Sequence, residues 1–240
     1  MDENLSKDEL STDNYLILYH GSKDIIETPF YGGGKKNNDF GYGFYCTQDI
    51  NLSKEWAVSS ISDGFSNKYC LDINNLRILN LNSKEYTVLN WIAILLNNRV
   101  FTLNNPVAKK ARNYLIDNFN INVNAYDLII GYRADDSYFD YALAFINNTI
   151  TLEQLSNALR LGQLGEQIVI KSPYAFSKIK FICSEKAKKE IYFHLRKNRD
   201  SEALKEYGKI LDEVADGLFV QDIMRGNIKN DDPRIPKNIS

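Results

Sequence analysis

The sequence predicts an α+β fold in a single domain. Three observations lead there. Short β-rich runs recur from residue 15 to residue 183 with no shift of composition between them. Stretches with helical apolar spacing lie between those runs. From about residue 185 the chain turns charged and helical. No repeat or low-complexity tract divides the 240 residues, a length that suits one large domain or one domain with an appendage. The expected organisation is a flexible N-terminus, 1–14, followed by one domain over 15–240. Its last part, about 185–240, is a helical segment that packs on the core or serves as an interaction arm.

Tyr15–His20 reads as a buried strand that ends at Gly21-Ser22. A loop follows, broken by Pro29 and by Gly32–Gly34. Phe40–Thr47 is the next strand, and Gly41 and Gly43 inside it signal a bend or a close approach to a ligand. Asn51 or Ser53 caps a helix carrying Glu55, Trp56 and Ala57. Residues 84–98 form an apolar helix, and Asn105-Pro106 starts another that runs to about Phe119. Tyr126–Tyr132 is a strand, and Asp135 or Asp136 opens a helix through Phe145. Thr151 and Gln154 make a capping box for a short helix ending near Gly162. Gln167–Lys171 is a strand broken by Pro173, and Ile179–Cys183 is the last clear one. The closing helical segment is interrupted at Lys197–Asp200 and ends around Gly217 and Asp231-Asp232-Pro233.

Composition excludes several classes. Hydrophobic residues are 44% and charged residues 25%, which suits a globular protein. The net charge of -2 argues against a broad nucleic-acid surface, though not against a local basic groove. No apolar run reaches membrane-spanning length, and Met1–Asn14 lacks the basic start and apolar centre of a signal peptide. Cys46, Cys70 and Cys183 include no closely spaced pair, so free thiols in a reducing, cytoplasmic setting are expected and a metal site is not.

His20 and Tyr45 stand out as candidate site residues. A histidine closing an apolar strand before Gly21-Ser22 either binds a ligand or hydrogen-bonds a neighbouring loop. Trp56 either walls a site or packs on the core. Asp135 and Asp136 either cap a helix, which Asp does well, or orient an acceptor. Arg133 either contacts a pyrophosphate or is a solvated surface residue, and His194 reads as a surface residue.

Taken together, Tyr19-His-Gly-Ser22 and Phe40-Gly-Tyr-Gly-Phe-Tyr45 resemble the first two nicotinamide-site motifs of the ADP-ribosyltransferase superfamily. That group includes the poly-ADP-ribose polymerases and the diphtheria-type toxins. The resemblance implies split antiparallel β-sheets around an NAD cleft. It also implies a mono-ADP-ribosyltransferase that uses NAD as co-substrate and modifies a protein or nucleic-acid acceptor. The near-neutral charge leans toward a protein or small-molecule acceptor. By the same resemblance His20 holds a ribose hydroxyl and Gly21, with Ser22 beside it, meets the nicotinamide amide. Tyr45 and Trp56 stack on the nicotinamide ring, and Ser53 reaches its carbonyl.

The superfamily's third motif places a Glu at the start of a late strand, where it steadies the transition state. Here the strand reads Gly165-Glu166-Gln167-Ile168, and either Glu166 or Gln167 fits. Neighbours on a strand face opposite sides, so only one of them reaches the site.

Ala134–Phe139, Gln167–Ser172, Ala175–Phe181, Phe219–Met224 and Asp231–Arg234 resemble a bacterial domain-of-unknown-function family of the ADP-ribosyltransferase-like group. Its members often carry Gln at the third motif, which favours Gln167. This likeness spans about residues 15–235. It implies a toxin or effector held by an inhibitor or antitoxin partner. The competing expectations are a non-catalytic NAD or ADP-ribose-binding module and an NAD glycohydrolase.

Overall fold

The computed structural model describes residues 14–133, 136–161, 165–213, 215–235 and 237. The readings of a flexible 1–13, of Asp135, and of a helix end at Gly162 lie outside these residues. The described residues form a mixed α+β fold with two sheets and eight helices.

The first half contains β1 (Tyr15–Ser22), β2 (Phe44–Cys46), α1 (Ile50–Ala57), β3 (Gly64–Asp72) and β4 (Ile78–Asn80). Next come α2 (Val88–Asn98), α3 (Pro106–Phe119) and β5 (Leu128–Tyr132). The second half contains α4 (Asp136–Ile146), α5 (Leu152–Ala158), β6 (Glu166–Ile170) and α6 (Pro173–Ser177). It closes with β7 (Ile179–Ala187), α7 (Lys189–Asp212) and α8 (Val220–Arg225).

Local signals place most boundaries. Asn105 caps α3 by accepting from the Val107 N–H at 2.8 Å, with Pro106 at the first helical position. Thr151 and Gln154 close a capping box on α5. The cap of α1 is Asp49 rather than Asn51 or Ser53. Its carboxylate accepts from the Asn51 and Leu52 N–H groups at 2.7 and 3.2 Å. Pro173 does more than end β6, because it opens α6 behind the Ser172 cap. The expected break at Lys197–Asp200 is absent, and α7 runs unbroken through it.

One sheet has the order β1-β3-β7 and is antiparallel throughout. The other has the order β2-β6-β5-β4. Its β4–β5 pair is parallel, which corrects the expectation of wholly antiparallel sheets. The segment joining those strands carries α2 and α3, and a parallel pair needs such a crossover. The sheets meet where Tyr19 and Thr47 exchange two backbone hydrogen bonds, at 2.7 and 2.9 Å.

Leu18 and Leu71 of the first sheet pack with Cys46, Leu128, Ile168 and Ile170 of the second. On its other face the second sheet holds α2, buried from Val88 to Leu96, as expected of a helix apolar on all sides. The closing helical segment packs on this core. Ala203 and Ile210 are buried, and Arg199 reaches the buried Glu55 of α1 at 2.6 Å. Among the described residues no helix is long and apolar enough to cross a membrane.

The Glu55–Arg199 pair generates a test. Burial raises the Glu55 carboxyl above its ordinary range, while Arg199 and then Arg133 pull it back. Arg199→Ala should cost about 3 kcal/mol near pH 7, because one partner of a buried pair is lost. The native state binds the Glu55 proton more tightly than the unfolded chain, so Glu55 favours folding more as pH falls. The deficit of the variant should therefore shrink as pH is lowered toward 4.5. A Tm deficit independent of pH would show that the pair does not tie α7 to α1.

Candidate functional site

His20, Tyr45, Trp56 and Gln167 come from four separate elements and line one cavity of about 540 Å³. That size suits a small-molecule ligand. The Tyr19–Thr47 junction sets its geometry by laying the end of β1 against β2. His20 stacks on Phe44, with ring centroids 4.3 Å apart. Its Nδ1–H donates to the Tyr45 carbonyl at 2.7 Å. A carbonyl only accepts, so the proton sits on Nδ1 and Nε2 keeps its lone pair. Burial lowers the His20 imidazole below 6.5, outweighing the opposing pull of the Tyr45 carbonyl. At neutral pH His20 is thus an uncharged acceptor.

The Tyr45 ring is held by its own hydroxyl, which donates to the Gly41 carbonyl at 2.6 Å and accepts from the Phe40 N–H at 3.2 Å. Burial, reinforced by the Asp39 carboxylate, pushes this phenol far above its ordinary range, so it does not serve as an acid. Tyr45 pairs with Val169 across the β2–β6 ladder, and Gln167 lies two residues from Val169 on the same face. Gly43 belongs here for packing reasons. A Cβ at that position would lie 2.4 Å from Val169 Cγ1.

Gln167 is only 6% exposed, and its Oε1 has no hydrogen-bond partner. Glu166 turns away into solvent, where it accepts from Asn82 Nδ2 at 2.6 Å, and it does not line the cavity. Trp56 also lines the cavity, with the Arg133 guanidinium 4.3 Å from its ring centroid. Its buried Nε1–H likewise lacks a partner. An unpaired acceptor and an unpaired donor, both buried, therefore belong to residues that line one cavity. Buried polar atoms are paired in the great majority of cases, and these two are exceptions among the residues that line the cavity.

Two expected site residues lie elsewhere. Ser53 is fully buried between α1 and the first sheet, where its hydroxyl donates to the Ile50 carbonyl and meets the Ser66 hydroxyl. The Ser22 hydroxyl donates to the Asp24 carbonyl at 2.5 Å and accepts from Asn67 Nδ2 at 2.9 Å. Neither lines the cavity. Gly21 does, but its missing Cβ is explained by helix packing, since an added one would sit 1.9 Å from the Ser53 carbonyl oxygen. α4 begins at Asp136, while Asp135 lies outside the described residues. His194 is exposed.

Sequence reasoning missed the charged rim. Arg99, Arg196, Asp39 and Asp200 join Arg133 around the cavity. Arg99 Nε donates to Asp39 at 2.7 Å. Arg99 follows the apolar run of α2, and Arg196 and Asp200 lie on a helix distant in sequence. No local pattern marks them. Among the described residues no group of three or more His, Cys, Asp or Glu is placed to hold a metal.

The family described as "Protein of unknown function (DUF3990)" matches residues 16–181. The chain belongs to this family. No curated protein and no solved structure matches it. The DUF3990 match includes His20, Tyr45, Trp56 and Gln167, whereas Arg196 and Asp200 of the rim fall beyond it.

One clamp fixes the segment that carries the aromatic wall. Lys171 is 6% exposed, and its Nζ donates to the Phe40 and Tyr42 carbonyls, each at 2.6 Å. Burial lowers its ammonium to about 8. Lys171→Met should strand both acceptors and cost about 2 kcal/mol, a Tm drop of roughly 4–8 °C in a chain of this size. An unchanged Tm would mean the loop does not depend on the clamp.

Proposed function

We propose that the chain is an NAD-dependent mono-ADP-ribosyltransferase of the ADP-ribosyltransferase-like type. The observation that carries the reading is the cavity itself: the two motif residues His20 and Tyr45 meet Trp56 and Gln167 there. The chemistry matches part by part. A ribose hydroxyl suits the lone pairs of His20 Nε2 and Gln167 Oε1. The flat Tyr45 and Trp56 rings suit a nicotinamide, whose amide carbonyl answers the Trp56 N–H. The arginine rim suits a diphosphate.

In the proposed reaction the bond between the nicotinamide nitrogen and ribose C1′ breaks, and its electron pair leaves on neutral nicotinamide. An acceptor nucleophile forms the new bond to C1′ and releases a proton. Gln167 offers a dipole to the developing oxocarbenium where a carboxylate would offer a charge. That difference favours a second reading, a module that binds NAD or ADP-ribose without chemistry. Water as the nucleophile would make the protein an NAD glycohydrolase.

Incubation with NAD labelled in its adenosine half separates the three. Nicotinamide release with label on a macromolecule supports transfer, and release without it supports hydrolysis. Binding without release supports the module.

Gln167→Ala should slow nicotinamide release about ten- to a hundredfold, since the lost contact is worth about 1–3 kcal/mol. Gln167→Glu should preserve or raise the rate, and Glu166→Ala should leave it nearly normal. The reverse ranking of the two alanine variants would assign the third motif to Glu166.

NAD affinity should also depend on pH through His20. It should be flat above pH 6.5 and fall below it, as protonation removes the Nε2 acceptor. The unfolded chain binds this proton more readily, so native stability should decline over the same acidic range. Affinity that rises on acidification would sink the assigned tautomer.

A further inference from the structure

A second cavity, of about 760 Å³, lies across the Phe40–Tyr42 segment from the first. Phe40, Gly41 and Tyr42 line the second cavity, Asp39 and Gly43 line the first, and Arg99 lines both. The chain as a whole is slightly acidic, with 29 basic and 31 acidic residues. Yet Lys36, Arg99, Lys109, Arg112 and Lys171 line this cavity, and no Asp or Glu does so among the described residues.

Those five cations are not equivalent. Lys171 is committed to two carbonyls, and Arg99 is paired with Asp39. Arg112 spends one donor, Nε, on the Leu96 carbonyl at 3.2 Å and keeps the rest of its fork. Lys36 and Lys109 are exposed and form no ion pair among the described residues. Positive charge therefore gathers with no countercharge in the lining.

The uncharged lining narrows the ligand. Asn37, Asn97, Asn113 and Asn124 bring amides that both donate and accept, as the edge of a nucleobase requires. Tyr42 is 46% exposed and offers a ring face on which a base stacks, while Phe101 packs on Phe139 and under the Arg112 guanidinium. Cations for phosphates, amides for base edges and an aromatic face for stacking together describe a strand-binding groove. A simple anion would use only the first of these. The near-neutral total charge is consistent with such a groove, because the basic residues are local.

We propose that this second cavity binds single-stranded nucleic acid and presents it as the acceptor of ADP-ribose. The inference rests on the transferase reading above. The two cavities share Arg99 and are divided by the Phe40–Tyr42 segment, which puts a bound strand beside the first cavity. Transfer would form a bond from C1′ to an oxygen or nitrogen of the strand, with nicotinamide and a proton released.

The test uses the full chain and a fluorescein-labelled single-stranded oligonucleotide of about 12 nucleotides, within known groove lengths. Anisotropy should show binding that weakens as salt rises. Lys36→Glu/Lys109→Glu should weaken it at least about tenfold at fixed salt. NAD affinity should be unchanged, since neither lysine lines the first cavity. Tyr42→Ala, a change at an exposed ring, should also weaken strand binding and provides a milder variant if charge reversal disturbs folding. Labelled NAD added with the oligonucleotide should place label on the strand.

No strand binding at low salt, or binding that neither variant affects, overturns the inference. So does label carried by an added protein mixture and not by the strand. Nicotinamide release without strand binding removes this inference and leaves the transferase reading in place. Strand binding without nicotinamide release removes the transferase reading and the acceptor role with it.

Discussion

Two backbone hydrogen bonds between Tyr19 and Thr47 hold the two sheets together beside the cavity. They form an isolated bridge rather than a ladder, so each sheet keeps its own partners. The next residue of β1 is His20, and two residues before Thr47 is Tyr45. The imidazole is thereby placed to donate to the Tyr45 carbonyl and to stack on Phe44. Phe44 in turn meets Tyr69 of β3 edge-on, which ties the central strand of the first sheet into the same cluster. Loss of the junction would free the histidine tautomer, the aromatic wall and the inter-sheet core together.

The cavity walls are set by backbone proximity as much as by side chains. α1 approaches β1 so closely that Gly21 has no room for a Cβ, and this brings Trp56 to the cavity. The same helix is anchored from the far end of the chain by Arg199 on Glu55. On the opposite wall Lys171, following β6, grips the Phe40 and Tyr42 carbonyls and so positions Tyr45 from behind. A glycine with no space, a buried lysine and a buried carboxylate are each costly alone. Each is explained by what it holds in place.

The motif residues were legible because they are contiguous: a strand end at His20 and a glycine-flanked aromatic run at Phe40–Tyr45. The helices with capping signals, α3 and α5, were legible for the same reason. β3 was not. Its sequence, Gly-Phe-Ser-Asn-Lys-Tyr-Cys-Leu-Asp, places Ser and Asn at buried positions and so hides the strand pattern. Asn67 earns its burial by accepting from the Ile26 N–H and donating to the Ser22 hydroxyl and the His20 and Asp24 carbonyls. That partner set, at the end of β1 and in the loop after it, lies more than forty residues away in sequence. The parallel β4–β5 pair and the cavity residues Arg99 and Arg196 escaped notice likewise, because crossover pairing and charge gathered from distant segments are properties of the assembled fold. Ser53 was misplaced for a subtler reason. Its spacing after the aromatic strand fits a ligand contact, but the rotation of α1 turns it inward and Trp56 outward.

Gln167 shows what the assembled site asks of one position. At 6% exposure a carboxylate there would lose most of its hydration, so Gln167→Glu would place a charge at the ribose only at a cost in native stability. A neutral amide avoids most of that cost at a residue that lines the cavity. The charged residues that line the cavity are three arginines with Asp39 and Asp200. Under the proposed reading the electrostatic attraction for NAD is then concentrated on its diphosphate, and the reacting ribose meets dipoles from His20 and Gln167. Binding energy of that kind is shared by ground state and transition state, which lowers KM more readily than it raises kcat. A site so arranged is tuned for capture of the dinucleotide first and for speed second.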